Sequence, residues 1–372
     1  MGQRSGVGVV ELAILEVLDA RRARPHGRAV QCEKVLAALE DEMGLDRKYA
    51  WQVLIDLTQS WKLPVPLVDG IGNFGSRGND PPASPRYSEA RLSPAGQLAL
   101  AAERGQIAPV PIGMINGNTH RDGLRPPFRP ATVIDAIRQV LDRPRLSGSL
   151  ITGIVGPPDF ITGCTVTGDL AALNAGQHAE LGLHARVTVT DTAHVRDREM
   201  KAANPGQRQV VLSFRTGLGP PGAAPPLLGA SSRQDPSRPV IVIDKFPPYA
   251  NTDETIRSIA DRAQGRDWHS RHPELGALTR LPIRNLADRT TSRGGYWFTC
   301  EPADGTPPEV LRDQLLKVHG VSIYITTRLP RPLPAMIRTW IRANQHEDLP
   351  GSLTALETSL ASRRQKLVAA EY

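Results

Sequence analysis

Tyr87 stands between two arginines, Arg86 and Arg91, just after the glycine-rich basic stretch Gly70-Ile-Gly-Asn-Phe-Gly-Ser-Arg-Gly. A phenol is a poor nucleophile at its free pKa of about 10; nearby positive charge or a metal lets it attack at neutral pH. Arg86 can stabilise a phenolate and also hold a phosphate oxygen through its forked donors. That chemistry suits attack on a phosphodiester, with the bond energy kept in a phosphotyrosine. Gly72, Asn73 and Gly75 would let a strand approach the backbone closely, and Arg47, Lys48, Arg77 and Arg91 would hold its phosphates. The competing reading is a pair of surface residues, Arg86 and Tyr87, on a hairpin that merely touches a polyanion.

Such a tyrosine needs a frame, and apolar spacing supplies one. Leu12, Leu15, Val17 and Leu18 predict a helix over Val9–Ala23; Cys32, Val35, Leu36 and Leu39 predict a second over Ala29–Met43. A third, Arg47–Trp61, turns Trp51, Leu54, Ile55 and Leu57 inward and leaves Arg47, Lys48 and Gln52 outward. A glycine-rich loop, an arginine-bearing strand and a helix over Ser93–Arg104 follow, which is the plan of a winged helix-turn-helix. Beyond residue 106, helical and strand patterns alternate. Helices are predicted over Val133–Leu141, Thr252–Ala263 and Pro308–Val318, and strands over Thr165–Thr167, Arg186–Thr190, Val240–Asp244, Tyr296–Cys300 and Val321–Thr326. Residues 203–238 are rich in Gly, Pro and Ser and read as a mobile excursion. Two helices close the chain, 334–344 and 351–370, the second with Leu353, Leu356, Leu360 and Leu367 at heptad-like spacing. Too short for a free coiled coil, it is expected to dock on its own chain or on a second copy.

With 372 residues the chain can hold two or three cores, and the fold class is α+β. Lys and Arg number 45 against 38 Asp and Glu, an excess of +7 that favours a polyanionic partner. Cys32, Cys164 and Cys300 are odd in number and far apart, which argues against a disulfide framework. No apolar run approaches a membrane span and no leader pattern is present, so a soluble, cytoplasmic protein is expected. His269 and His272 lack the companions of a zinc site, and no phosphate loop for ATP is visible.

Residues 66–93 resemble the active-site region of the A subunit of bacterial type IIA DNA topoisomerases, DNA gyrase and topoisomerase IV. The resemblance rests on Leu67-Val-Asp-Gly-Ile-Gly-Asn-Phe-Gly-Ser and Arg86-Tyr-Ser-Glu-Ala-Arg, with Tyr87 on the catalytic tyrosine. Weaker matches follow at Val110-Pro-Ile-Gly-Met, Gly156-Pro-Pro-Asp-Phe-Ile-Thr-Gly and Ile241-Val-Ile-Asp-Lys-Phe-Pro-Pro-Tyr. The resemblance implies a winged-helix DNA-gate domain over 1–105, a mixed α/β tower domain over 106–335 and a helical stub over 336–372 in place of a coiled coil. Tyr87, assisted by Arg86, would cut double-stranded DNA to a 5′-phosphotyrosine, and Val110 would wedge between base pairs. Magnesium and ATP would belong to a gyrase-B-like partner, in a homodimer or an A2B2 heterotetramer associated with the bacterial nucleoid.

The departures are equally specific. The family's basic N-terminal segment is not reproduced, and Arg21, Arg22, Arg24 and His26 are only a loose substitute for it. Where the family has Pro-His-Gly-Asp at the start of the recognition helix this chain reads Gly44-Leu-Asp-Arg47, without the histidine, and Lys48 and Gln52 replace a serine and an acid that bind quinolone drugs. The exit gate and DNA-wrapping domain find no counterpart within the sequence. A repurposed, non-cleaving DNA-binding protein is therefore the alternative, and a winged-helix regulator a more distant one.

Overall fold

The computed structural model describes residues 4–75, 81–117, 125–202, 212–215, 238–248, 250–265, 280–290 and 296–370. In chain order they form α1 (Val9–Ala20), β1 (Val30–Gln31), α2 (Cys32–Met43), α3 (Arg47–Thr58), β2 (Val68–Ile71), β3 (Glu89–Leu92) and α4 (Pro94–Glu103). A short 3-10 turn, Pro85–Tyr87, leads into β3. Next come α5 (Ile112–Asn116), α6 (Pro130–Asp142), α7 (Gly148–Val155), β4 (Thr165–Gly168), α8 (Leu170–Asn174), β5 (Ala179–His184), β6 (Arg186–Asp191) and α9 (Thr192–Ala202). The rest comprises β7 (Leu212–Arg215), β8 (Pro239–Asp244), α10 (Thr252–Gln264), β9 (Ile283–Asp288), β10 (Trp297–Pro302), α11 (Pro308–Leu315), β11 (Ser322–Thr327), α12 (Leu333–Ala343) and α13 (Leu349–Ala370).

The result is an α+β molecule with small antiparallel sheets in the orders β1-β3-β2, β6-β8-β10-β9-β7 and β11-β5-β4. Local chemistry sets the helix ends. Asp46 caps α3 by accepting the Tyr49 N–H at 2.7 Å, and Gly44 closes α2 in the left-handed region. Ser93 caps α4, with Pro94 at its first position, and its hydroxyl also donates to the Pro66 carbonyl at 2.8 Å. A side chain at Gly96 would meet the Leu67 carbonyl, so α4 lies directly on the β2 approach.

One apolar core joins α1–α4 and the first sheet to α5, α6, α7, α12 and α13; Leu18, Leu36, Leu54, Leu92, Ile137, Ile337 and Leu353 all belong to it. A second lies between the five-stranded sheet and α10 and α11, built on Ile243, Ile259, Phe298, Leu311 and Leu315. The opposite face of that sheet packs Val240, Val242 and Trp297 against Val195 of α9. The last helix docks on its own chain: Ser352 Oγ donates to the Pro109 carbonyl at 2.9 Å, and Arg138 grips Glu357 through two hydrogen bonds of 2.9 and 2.8 Å.

Several sequence expectations change: α1 ends at Ala20 rather than Ala23, Val30–Gln31 at the expected start of the second helix is strand β1, and α11 ends at Leu315 rather than Val318. The third helix ends at Thr58 rather than Trp61, because Gln59 turns extended and donates its amide to the Phe74 carbonyl at 2.7 Å. Within 203–238, Leu212–Arg215 forms an edge strand paired with β9; apart from Arg238 the remainder lies outside the described residues, as do His269 and His272. Among the described residues, no helix is long and apolar enough to cross a membrane.

Candidate functional site

Tyr87 lies at the junction between the 3-10 turn and β3, the central strand of its sheet. Pro85 presets the turn, and the Tyr87 N–H donates to the Ser84 carbonyl at 2.9 Å. Both edge strands then fix the backbone around it. From the β1 side, the Cys32 N–H donates to the Ser88 carbonyl at 2.9 Å and the Gln31 amide reaches the Arg86 carbonyl at 3.4 Å. From the β2 side, Gly72 passes so close that an added side chain would lie 3.2 Å from the Tyr87 carbonyl.

The phenol itself is presented to solvent, with the residue 73% exposed. Arg86 is exposed too, and its guanidinium carbon sits 5.6 Å from the centre of the Tyr87 ring. A fixed backbone carrying a free phenol and an adjacent cation is a geometry in which an external phosphate could reach both groups. Gln31 is the positioning residue that sequence reasoning missed; α2, α3 and β2 all lie between it and Arg86, so no local motif announces it.

The glycine-rich loop is built around Asn73 and Phe74. Asn73 Oδ1 accepts the Gly75 N–H at 2.8 Å, while its main-chain carbonyl accepts the Ala83 N–H at 2.9 Å. Phe74 is buried with its ring 5.9 Å from Trp51 of α3. Gly72 and Gly75 have φ of 110° and 88°, the region that only glycine enters without strain. Gly72→Ala is expected to cost about 1–2 kcal/mol of stability, read by chemical denaturation, because strain and the approach to Tyr87 add.

The cations anticipated as phosphate ligands separate into three kinds. Lys48 is exposed on the first turn of α3. Arg47 is instead paired with both Glu33 and Glu40 of α2, the latter at 3.4 Å, and these acids hold its guanidinium firmly charged. Arg91 is partly buried; it donates to the Gly27 carbonyl at 2.9 Å and approaches Asp69 to 3.8 Å. Arg77 lies outside the described residues.

Val110 requires a correction. It was expected at the surface as a wedge, but it is fully buried in the first core with Ile112 and Ile115. An apolar run of this kind gains more from core burial than from exposure, at about 25 cal/mol per Å2 removed from water.

Comparison with known proteins bears on this segment. The family model for the A subunit of DNA gyrase/topoisomerase IV matches residues 50–108, from α3 through Tyr87 and α4. The DNA gyrase A subunit of Granulibacter bethesdensis is 30% identical over 188 residues, covering 44% of this chain and 19% of that protein. Its counterpart in Haloquadratum walsbyi is 25% identical over 296 residues, 74% of this chain and 28% of the relative. A shorter match to the gyrase A subunit of Mycobacterium tuberculosis reaches 66% identity over 41 residues, covering 11% of this chain and 5% of the relative. The chain thus spans less than a third of the length of these relatives. Through residues 50–108, the stretch that presents Tyr87, the chain is related to the A subunits of DNA gyrase and topoisomerase IV.

Proposed function

We propose that the chain binds double-stranded DNA and that Tyr87 cleaves and reseals it, as the strand-cutting part of a type II topoisomerase. The observation that carries this reading is the exposed Tyr87 beside Arg86, on a backbone held from both sides, inside the segment related to the gyrase A subunit. Tyr87 Oη bonds to phosphorus as the P–O3′ bond breaks. The phenol proton passes to solvent, the 3′ oxygen leaves as a hydroxyl, and the 5′ end stays on the tyrosine. Arg86 offsets the charge that develops on the phosphate oxygens. Attack by the 3′ hydroxyl reverses each change and frees Tyr87.

Among the described residues no group of three or more His, Cys, Asp or Glu side chains is placed to hold a metal. The proposal assigns magnesium and ATP to a gyrase-B-like partner, within an assembly that contains two copies of this chain. It likewise takes residues 1–105 as the winged-helix unit, 106–335 as the tower-like unit and 336–372 as the terminal helical part. A bacterial cytoplasmic setting, at the nucleoid, goes with that reading.

The test is trapping on supercoiled plasmid with magnesium, with and without a B subunit, followed by denaturation of the protein. Linear plasmid carrying protein on its 5′ ends is expected. Binding without any covalent product would mean a DNA-binding protein that does not cut.

Within the DNA contact, Lys48 should matter more than Arg47, whose charge is already offset by Glu33 and Glu40. Lys48→Gln is expected to weaken duplex binding roughly eightfold at about 0.1 M salt, the loss of one phosphate contact. Arg47→Gln should change it by less than about threefold on the same electrostatic scale. Fluorescence anisotropy on one labelled duplex checks both.

A further inference from the structure

The connection between α1 and β1, residues 21–28, reads Arg-Arg-Ala-Arg-Pro-His-Gly-Arg: four arginines and a histidine in eight positions, with no acid. It is packed against β3. The Leu92 N–H donates to the Ala23 carbonyl at 2.8 Å, and Arg91 on the exposed face of the strand donates to the Gly27 carbonyl at 2.9 Å. The loop therefore borders the same strand whose other end carries Tyr87. Its backbone is unusual as well as basic. Arg22 and His26 have φ of 57° and 63°, a conformation that costs a non-glycine residue roughly 1 kcal/mol. Hydrogen bonds hold it there: Arg22 N–H to the Asp19 carbonyl at 2.8 Å, Ala23 N–H to Leu18 at 2.9 Å and Gly27 N–H to Arg24 at 3.0 Å.

The charges in the loop divide cleanly. Arg24 pairs with Asp19 at 2.9 Å, and Arg21 approaches Glu42 to 4.0 Å. Arg22 and Arg28 are exposed and make no ion pair with a described carboxylate. Two unneutralised guanidinium groups on a rigid loop form a surface complementary to a polyanion, and the same strand leads from them to Tyr87.

We propose that Arg22 and Arg28 are phosphate-binding residues that hold the duplex arm on the Leu92 side of Tyr87. This rests on the DNA-binding reading above and extends it to residues outside the 50–108 segment. From Tyr87 to Leu92 the extended chain covers about 17 Å. The contact is to the backbone, so it adds affinity and leaves sequence preference unchanged.

The experiment is duplex binding by anisotropy from about 50 to 200 mM salt, comparing the full chain with the Arg22→Gln/Arg28→Gln double variant and the Arg22→Lys/Arg28→Lys double variant. Removing two phosphate contacts should make the slope of log affinity against log salt shallower by about 1.8 and weaken binding by well over tenfold at about 0.1 M salt. The lysine variant should keep both slope and affinity close to the parent, because charge and not packing is at stake. A slope unchanged in the glutamine variant, with the parent still binding, would overturn the loop contact and leave the general DNA-binding reading standing. Failure of the lysine variant to preserve the slope would also overturn it. A parent chain that binds no duplex would remove both.

Discussion

Tyr87→Phe is expected to abolish covalent attachment to DNA while leaving duplex affinity within about twofold. Only the hydroxyl is removed, and the ring keeps its place on the turn between Pro85 and β3. Loss of a nucleophile typically reduces catalysis by about 10^4-fold or more, since no neighbouring group takes over the bond-making step. The backbone contacts that hold the turn, from Gln31, Cys32 and the close approach of Gly72, do not involve the phenol. Measured as protein-linked plasmid after denaturation, the variant should fall to background. Retained linkage in Tyr87→Phe would assign the chemistry to a different residue.

The second large effect is on stability and concerns Asp244 at the end of β8. Its side chain is only 2% exposed, and Arg186 binds it in a fork at 2.7 and 2.6 Å. Arg198 of α9 adds a bond of 2.8 Å while its guanidinium lies 4.2 Å from the centre of the Trp297 ring. Burial pushes the Asp244 carboxyl up, but the hydrogen bonds and charges of Arg186 and Arg198 outweigh it and hold the group below the usual carboxylate range. Because the folded pKa lies below the unfolded one, the stabilisation is present at neutral pH. It is lost as pH falls from about 4 through the folded value.

Asp244→Ala leaves Arg198 against a buried tryptophan with no counter-charge, which is expected to cost about 3 kcal/mol. Arg186, half exposed, can turn to water and keeps the loss from being larger. Thermal unfolding should shift down by about 6–12 °C, on the scale of roughly 2–4 °C per kcal/mol for units of this size. The variant should also lose the part of the acid-induced destabilisation that Asp244 contributes. An unchanged melting temperature would show that the ion pairs contribute nothing to stability.

What could be read from the sequence follows from where the apolar residues fall. The helices α1, α2 and α3 were legible because Leu15, Leu18, Val35, Leu36 and Leu54 recur at helical spacing and are all buried. The Tyr87 segment was legible because its residue types and order are themselves the signal. By contrast, α9 has little apolar periodicity: Val195 is its buried hydrophobic residue among those described, and Arg198 anchors it through charge. Strand β9 was missed because its pairing with β10 shifts register between Glu301 and Pro302, which breaks alternation.

Partners distant in sequence were the other blind spot. Arg47 reads as a free cation at a helix start, yet Glu33 and Glu40 lie one helix earlier and fold onto it. Val110 reads as a wedge by resemblance, but its neighbours Ile112 and Ile115 take it into the core. For α13, Leu353 and Leu356 signalled burial correctly; the surface they meet, and the Arg138–Glu357 clasp beside it, could come only from the fold.

The most direct test of DNA cleavage by Tyr87 is mass spectrometry of the trapped adduct after nuclease trimming and digestion with trypsin. Cleavage after Arg86 and Arg91 would release the short peptide Tyr87-Ser-Glu-Ala-Arg91. The account predicts a nucleotide joined through a 5′ phosphate to the Tyr87 oxygen, present with plasmid and magnesium and absent without DNA. An unmodified Tyr87 peptide in samples where the protein demonstrably occupies duplex, with or without a B subunit, would contradict it.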